Sequence, residues 1–185
     1  NMSTWDILIS ENHYSVHGSQ TFLVNFNKQL KGLVFIMEIE RKFVPVKLPD
    51  NLESYPHTRI EQGYLCTAPV VRVRRDGDSY YMTYKGAGMM VREEYTALTK
   101  EAYEHLIVKA DGTVISKTRY RIPIGNDLTA ELDIFDGALN GVLLVEVEFP
   151  DESAARSFIP PKWFGEDVTL DPRYHNSNMS KGIRP

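Results

Sequence analysis

The sequence predicts a mainly β, α+β fold in which eight antiparallel strands close into a barrel with a few helices packed outside it. Three observations predict it. After Met37 the chain alternates with period two, charged side chains take one side of seven of the alternating segments, and helical patterns are few and late. The two faces of each strand therefore meet different surroundings. Closure of about eight strands turns the charged faces toward one lumen and leaves the apolar faces outside, where helices or another subunit cover them.

The first strand places Glu38, Glu40 and Lys42 on one face and Ile39 and Phe43 on the other, with Arg41 interrupting the apolar side. A second strand covers residues 59–66. Arg72 and Arg74 then oppose Val71 and Val73, Asp76-Gly77-Asp78 supplies a turn, and Tyr81, Thr83 and Lys85 oppose Tyr80, Met82 and Tyr84, so residues 72–85 read as a hairpin. After Gly86-Ala87-Gly88, Arg92 and Glu94 alternate with Val91 and Tyr95. Lys117, Arg119 and Arg121 oppose Thr118, Tyr120 and Ile122. Glu131 and Asp133 oppose Leu132 and Ile134, and Glu146 and Glu148 oppose Val145, Val147 and Phe149. Thr99 is a suitable N-cap for a helix over 100–109. A second short helix is expected over 151–158, after Pro150, and a third over 171–181.

Composition narrows the class. The 185 residues are 42% apolar and 25% charged, ordinary for a soluble domain and enough for one core. No window reaches the roughly 18 apolar residues of a membrane-spanning helix, since Gly32-Leu33-Val34-Phe35-Ile36-Met37 stops at Glu38. Cys66 stands alone, which excludes an internal disulfide and a thiolate zinc site and makes the cytoplasm the expected setting. A net charge of −4 and a pI of about 5.8 speak against bulk attraction to nucleic acid or an anionic membrane, so neither is an expected partner. Asn1 precedes Met2 and is read as foreign to the natural chain. Residues 1–36 are read as an extension, with Met37 as an alternative start, and 37–185 as the domain.

The charged face holds eight cations (Lys42, Arg72, Arg74, Lys85, Arg92, Lys117, Arg119, Arg121) and seven anions (Glu38, Glu40, Glu94, Glu131, Asp133, Glu146, Glu148). For one strand, a solvated face would suffice as explanation; seven strands with the same habit call for a ligand. Glu38 with Glu40, and Glu146 with Glu148, are acidic pairs at i, i+2, and like charges so close are costly without a cation between them. Hard carboxylate oxygens without His or Cys suit Mg²⁺ or Mn²⁺ rather than zinc. Two such ions raise a near-neutral lumen to about +5, which matches the roughly −4 to −5 of a triphosphate. Arg and Lys are the side chains that grip phosphate.

Glu38-x-Glu40-x-Lys42 resembles the ExExK signature of the CYTH domain, or triphosphate tunnel metalloenzyme family. Glu61-Gln62-Gly63-Tyr64-Leu65, Val71-Arg72-Val73-Arg74, Tyr84-Lys85-Gly86, Arg92-x-Glu94, Thr118-Arg119-Tyr120, Glu131-x-Asp133 and Glu146-Val147-Glu148-Phe149 follow in the family's order. The resemblance covers residues 37–185 and is greatest to the short bacterial-type inorganic tripolyphosphatases. It implies a tunnel that binds a triphosphate with divalent ions and hydrolyses the terminal phosphate. It further implies that Glu38, Glu40, Glu146 and Glu148 hold metal and that Lys42, Arg72, Arg74, Lys85, Lys117, Arg119 and Arg121 contact phosphate. Glu38, Glu40, Lys42 and Glu148 are the implied catalytic set, with Glu146 or Glu148 as proton acceptor.

An adenylate cyclase of the same family is a competing reading, lowered because the stretch just before the ExExK motif, Leu33-Val34-Phe35-Ile36-Met37, has no histidine. A binding module for polyphosphate or nucleotide without turnover is another. The expected partner is a small triphosphate, and a homodimer is left open. Tyr64 either touches phosphate or packs a strand. Arg92 and Glu94 either meet substrate or form an ion network. His13 and His17 are read as surface residues, and His57, His105 and His175 as structural or exposed.

Overall fold

The computed structural model describes residues 39–85 and 93–185, except the side chains of 93–95. Glu38, Arg92, the Gly86-Ala87-Gly88 turn and the expected extension lie outside the described residues, as does the Glu94 side chain. Eight strands are present: β1 (Ile39–Phe43), β2 (His57–Thr67), β3 (Val70–Asp76), β4 (Ser79–Lys85), β5 (Glu93–Ala97), β6 (Asp111–Gly125), β7 (Leu128–Phe135) and β8 (Leu143–Phe149). The helices are α1 (Lys100–Ile107), α2 (Glu152–Ser157) and α3 (Asn176–Met179). No described helix is long and apolar enough to cross a membrane.

All eight strands form one antiparallel sheet in the order β1-β8-β7-β6-β2-β3-β4-β5. Among the described residues no ladder joins β5 to β1, so they form a curled sheet with two open edges, and the closed barrel expected from the sequence is not seen in them. β1 and β5 are its two edges. The expected helix over 171–181 is corrected. It divides into a 3-10 turn at Pro172–Tyr174 and the four-residue α3, because His175 between them takes an extended backbone (φ −77°, ψ 126°).

Local chemistry fixes the connections. Thr99 caps α1 by accepting from the Ala102 amide at 3.2 Å, and Asp151 caps α2 by accepting from the Ala154 amide at 2.8 Å. Asn126 and Asp127 both sit at positive φ, 53° and 57°, in the tight β6–β7 turn, a conformation their short polar side chains tolerate.

The apolar side of the sheet faces outward, as the alternation requires. Phe43 (β1), Tyr120 and Ile122 (β6), Ala130 and Leu132 (β7) and Val145, Val147 and Phe149 (β8) form one buried cluster, covered by Ala155 of α2 and by Phe164. Phe43 stacks on Phe164 at a centroid distance of 4.9 Å and on Phe158 at 6.2 Å. Arg41, the interruption on this face, pairs with Asp167 at 2.5 Å and donates to the carbonyls of Ala155 and Phe158 at 3.1 and 3.3 Å, tying β1 to its cover. On β2, α1 sits so close that a Cβ on Gly63 would lie 2.6 Å from the Ala110 Cβ.

A second buried cluster forms on the inner side. Tyr64, Ile115, Phe135 and Leu144 meet Val168 and Met179 from the C-terminal segment. The inward rows are therefore charged along part of their length and apolar where that segment crosses.

Truncating Phe43 to Ala should cost about 3–5 kcal/mol of stability in urea unfolding, because the Phe158 and Phe164 rings lose their shared partner. A loss below about 1 kcal/mol would show that the outer cluster does not hold β1 in place.

Candidate active site

Register brings the charged positions together. Across the β1–β8 ladder Glu40 stands opposite Glu148 and Lys42 opposite Glu146; across β7–β8 Glu131 stands opposite Glu146. Across β6–β7 Arg119 stands opposite Asp133 and Arg121 opposite Glu131, and β3 sets Arg74 opposite Gln62 of β2 and Tyr81 of β4. Paired residues share a face, so these side chains project to the concave side.

All but Asp133 and Gln62, which are fully buried, line one cavity of about 410 Å³, to which seven strands contribute. Glu40, Lys42, Arg72, Arg74, Lys85, Arg119, Arg121, Glu146 and Glu148, all expected site residues, lie in its wall. Lys117 does not. It is fully buried beneath the cavity against Asp133, because the neighbouring inward positions Ile115 and Phe135 are apolar and leave it no path to the lumen. Asp76, Tyr64, Tyr81, Glu131, His175, Asn176 and Ser177 line the cavity without having been expected there as site residues, Tyr64 having been left undecided. The inward phase of Asp76 and Glu131 is readable from their strands. Nothing local marks residues 175–177, which arrive by tertiary folding.

The charges form a linked chain. Lys42 contacts Glu40 at 2.7 Å and donates to Glu146. Arg119 reaches Glu146 at 2.6 Å, Asp133 at 2.7 and 2.6 Å, and Glu131; Lys117 donates to Asp133. Both carboxylate oxygens of Glu146 are thus engaged by cations. Burial by itself would push Lys42 down, but the Glu146 and Glu40 carboxylates outweigh it and hold the ammonium above its ordinary range. Burial likewise works against ionised Glu146, and Lys42, Arg119 and Lys117 overcome it, holding the acid well below its usual value. Lys117 goes the other way: full burial pushes it down to about 8, since the Asp133 charge that opposes burial is shared with Arg119.

Arg74 has neutral company. Arg74 donates to Gln62 Oε1 at 2.9 Å and to Tyr81 Oη at 3.2 Å, and Arg72 donates to Thr83 at 3.2 Å. Tyr64 is buried, with its hydroxyl 3.5 Å from Gln62 Nε2. It both packs the inner cluster and lines the cavity, so its two readings hold together.

Among the described residues no three His, Cys, Asp or Glu gather as a ready-made metal site. The donor set still suits a hard divalent ion. Glu40 and Glu148 face each other across a ladder at the cavity wall, where like charges repel. Mg²⁺ is commonly bound by one or two carboxylates together with substrate phosphates and water, and needs no all-protein cage.

The CYTH domain matches residues 37–181 of the chain. An inorganic triphosphatase of Nitrosomonas europaea is 42% identical over 151 residues, which cover 79% of this chain and 98% of that protein. An inorganic triphosphatase of Acetivibrio thermocellus is 40% identical over 150 residues, covering 78% and 93%. The crystal structure of the inorganic triphosphatase NE1496 superposes with a TM-score of 0.65 at 38% identity, over 81% of this chain and 98% of that one. From its charged, strand-lined cavity to these likenesses, the chain belongs to the CYTH domain family.

Proposed function

We propose that the chain hydrolyses the terminal phosphate of a triphosphate, inorganic tripolyphosphate first among them, with Mg²⁺ or Mn²⁺. The carrying observation is a single cavity with six cations and five carboxylates in its wall, near balance until an anion and a metal enter together. Similarity to two inorganic triphosphatases supports it. Closure of the curled sheet into a tunnel around the bound phosphates is part of the same reading.

Glu40 and Glu148, with Glu38 beside them in sequence, would hold the metal. When bound, the ion supplies charge neutralisation and an acidified water for in-line attack. Lys42, fixed by Glu40 and Glu146, keeps its charge and holds a phosphate oxygen next to that site. Arg74 and Arg72 grip the remaining oxygens through their planar forks, with Lys85 and Arg121 at the two ends of the wall, while Arg119, whose fork is taken by Asp133, Glu131 and Glu146, adds its charge to that wall. Glu148, exposed where Glu146 is buried and doubly paired, is the better placed proton acceptor. Glu146 serves as a metal ligand only by giving up Lys42 or Arg119, so its role in this reading is to orient them. Lys117 acts on phosphate indirectly, by fixing Asp133 and through it Arg119.

The deciding measurement is product release from tripolyphosphate, ATP, thiamine triphosphate and longer polyphosphate with each divalent ion. Orthophosphate from tripolyphosphate, abolished by EDTA and restored by Mg²⁺ or Mn²⁺, is the expected result. Cyclic AMP and pyrophosphate from ATP would replace this reading by a cyclase, and tight binding with no product would make the chain a binding module. Glu40→Gln should lower kcat at least about a hundredfold while leaving the melting temperature nearly unchanged; normal turnover in that variant would remove Glu40 from the metal site. Asp133→Asn leaves Lys117 buried without its counter-charge and should destabilise the fold by about 3–5 kcal/mol in denaturant titration. A neutral outcome there would show that the buried pair does not organise the wall.

A further inference from the structure

The cavity has two unlike ends, as the strand directions require. In this antiparallel order, the end holding the last residues of β1, β7, β2 and β4 also holds the first residues of β8, β6 and β3. Tyr64, Val70, Arg72 and Lys85 line the cavity there. The opposite end has Glu40, Glu148 and Glu131.

The C-terminal segment crosses the first end. It starts beside β1, where the Val168 amide donates to the Lys42 carbonyl at 2.8 Å, and finishes on β6, where the Thr113 amide donates to the Ser180 carbonyl at 2.8 Å. Between these fixings His175, Asn176 and Ser177 enter the cavity wall. The crossing is firmly seated: Met179 is 1% exposed, and Asn178 Nδ2 donates to the Pro172 carbonyl at 2.8 Å. At Gly112 (φ +69°) an added Cβ would lie 2.3 Å from the Ser180 carbonyl oxygen, so the segment lies directly against β6. Asn176 Oδ1 is buried with no hydrogen-bond partner among the described residues. A buried amide in that state gains when a ligand or water meets it, and turning it over offers two donors to an oxyanion.

We infer that His175, Asn176 and Ser177 form an end stop, which meets the phosphate farthest from the carboxylates and sets the length of chain the site accepts. The inference deepens the triphosphatase reading and rests on its placement of metal at the carboxylate end. An inorganic chain of three phosphates bears only oxygens at each terminus, so in this reading it lies between that end and the stop. A fourth phosphate, or a nucleoside at the stop, has to displace a segment held by a buried methionine and two backbone hydrogen bonds.

Tripolyphosphate and tetrapolyphosphate are compared for binding by calorimetry and for turnover by kcat/KM with Mg²⁺. The unmodified protein should prefer the shorter chain by at least about tenfold. The combined variant His175→Gly, Asn176→Gly, Ser177→Gly, which keeps Met179, should lose most of that preference. Gly112→Ala, which crowds the Ser180 carbonyl, should shift it in the same direction should the triple variant not fold. Equal binding of both chains by the unmodified protein, or an unchanged preference in a folded variant, overturns the end stop. Selective binding of tripolyphosphate without phosphate release sustains the stop and defeats the hydrolase reading; equal hydrolysis of both chains does the reverse. Binding of neither chain defeats both.

Discussion

Cations cannot be crowded around a cavity unless something holds them there, and in this protein that is a buried chain of carboxylates. Glu146 stands between Lys42 and Arg119, and Asp133 between Arg119 and Lys117. Each acid is ionised against the pull of burial because two basic groups flank it. Replacing either acid would leave buried positive charges facing one another. The lining of the cavity is therefore a single electrostatic unit, in which position and charge state are set together.

That unit exists because the sheet is packed inside out. Its apolar side is turned away from the cavity, so the hydrophobic driving force must come from what covers the outside. α2, Phe158 and Phe164 supply it over β1 and β8, and α1 over β2 and β3, where Gly63 permits contact a side chain would block. Arg41 shows how closely the two sides are coupled. One residue from Glu40 and one from Lys42, it points the other way and binds Asp167 and the end of α2, so the strand that presents the site is fastened from behind.

Period-two alternation made the strands legible, because it requires no knowledge of neighbours: Glu40, Lys42, Arg72, Arg74, Arg119 and Glu148 share a phase in the sequence and share a wall in the structure. Depth was not legible. Lys117 has the same phase as Arg119, yet sits beneath the cavity because Ile115 and Phe135 shift the inward face from charged to apolar at that level. Closure was not legible either, since it depends on whether two distant edges meet rather than on any residue pattern. The place of His175 to Ser177 in the wall was not legible, because it follows from where Val168 and Ser180 attach, a tertiary fact without local periodicity.

The hydrogen-bond partners of the cations divide the wall into two kinds of group. Arg119 is saturated by carboxylates, and withdrawing them would strand buried charge at a cost of several kcal/mol, so an incoming anion gains little by competing for it alone. Arg74 is positioned by Gln62 and Tyr81, which orient the guanidinium without neutralising it. A phosphate oxygen meeting Arg74 therefore encounters a charge already aimed and little compensated, whereas at Lys42 and Arg119 it joins an existing network. In the proposed reading, affinity for the polyanion arises at Arg74, and Lys42 and Arg119 supply the rigid geometry against which the remainder of the chain is held.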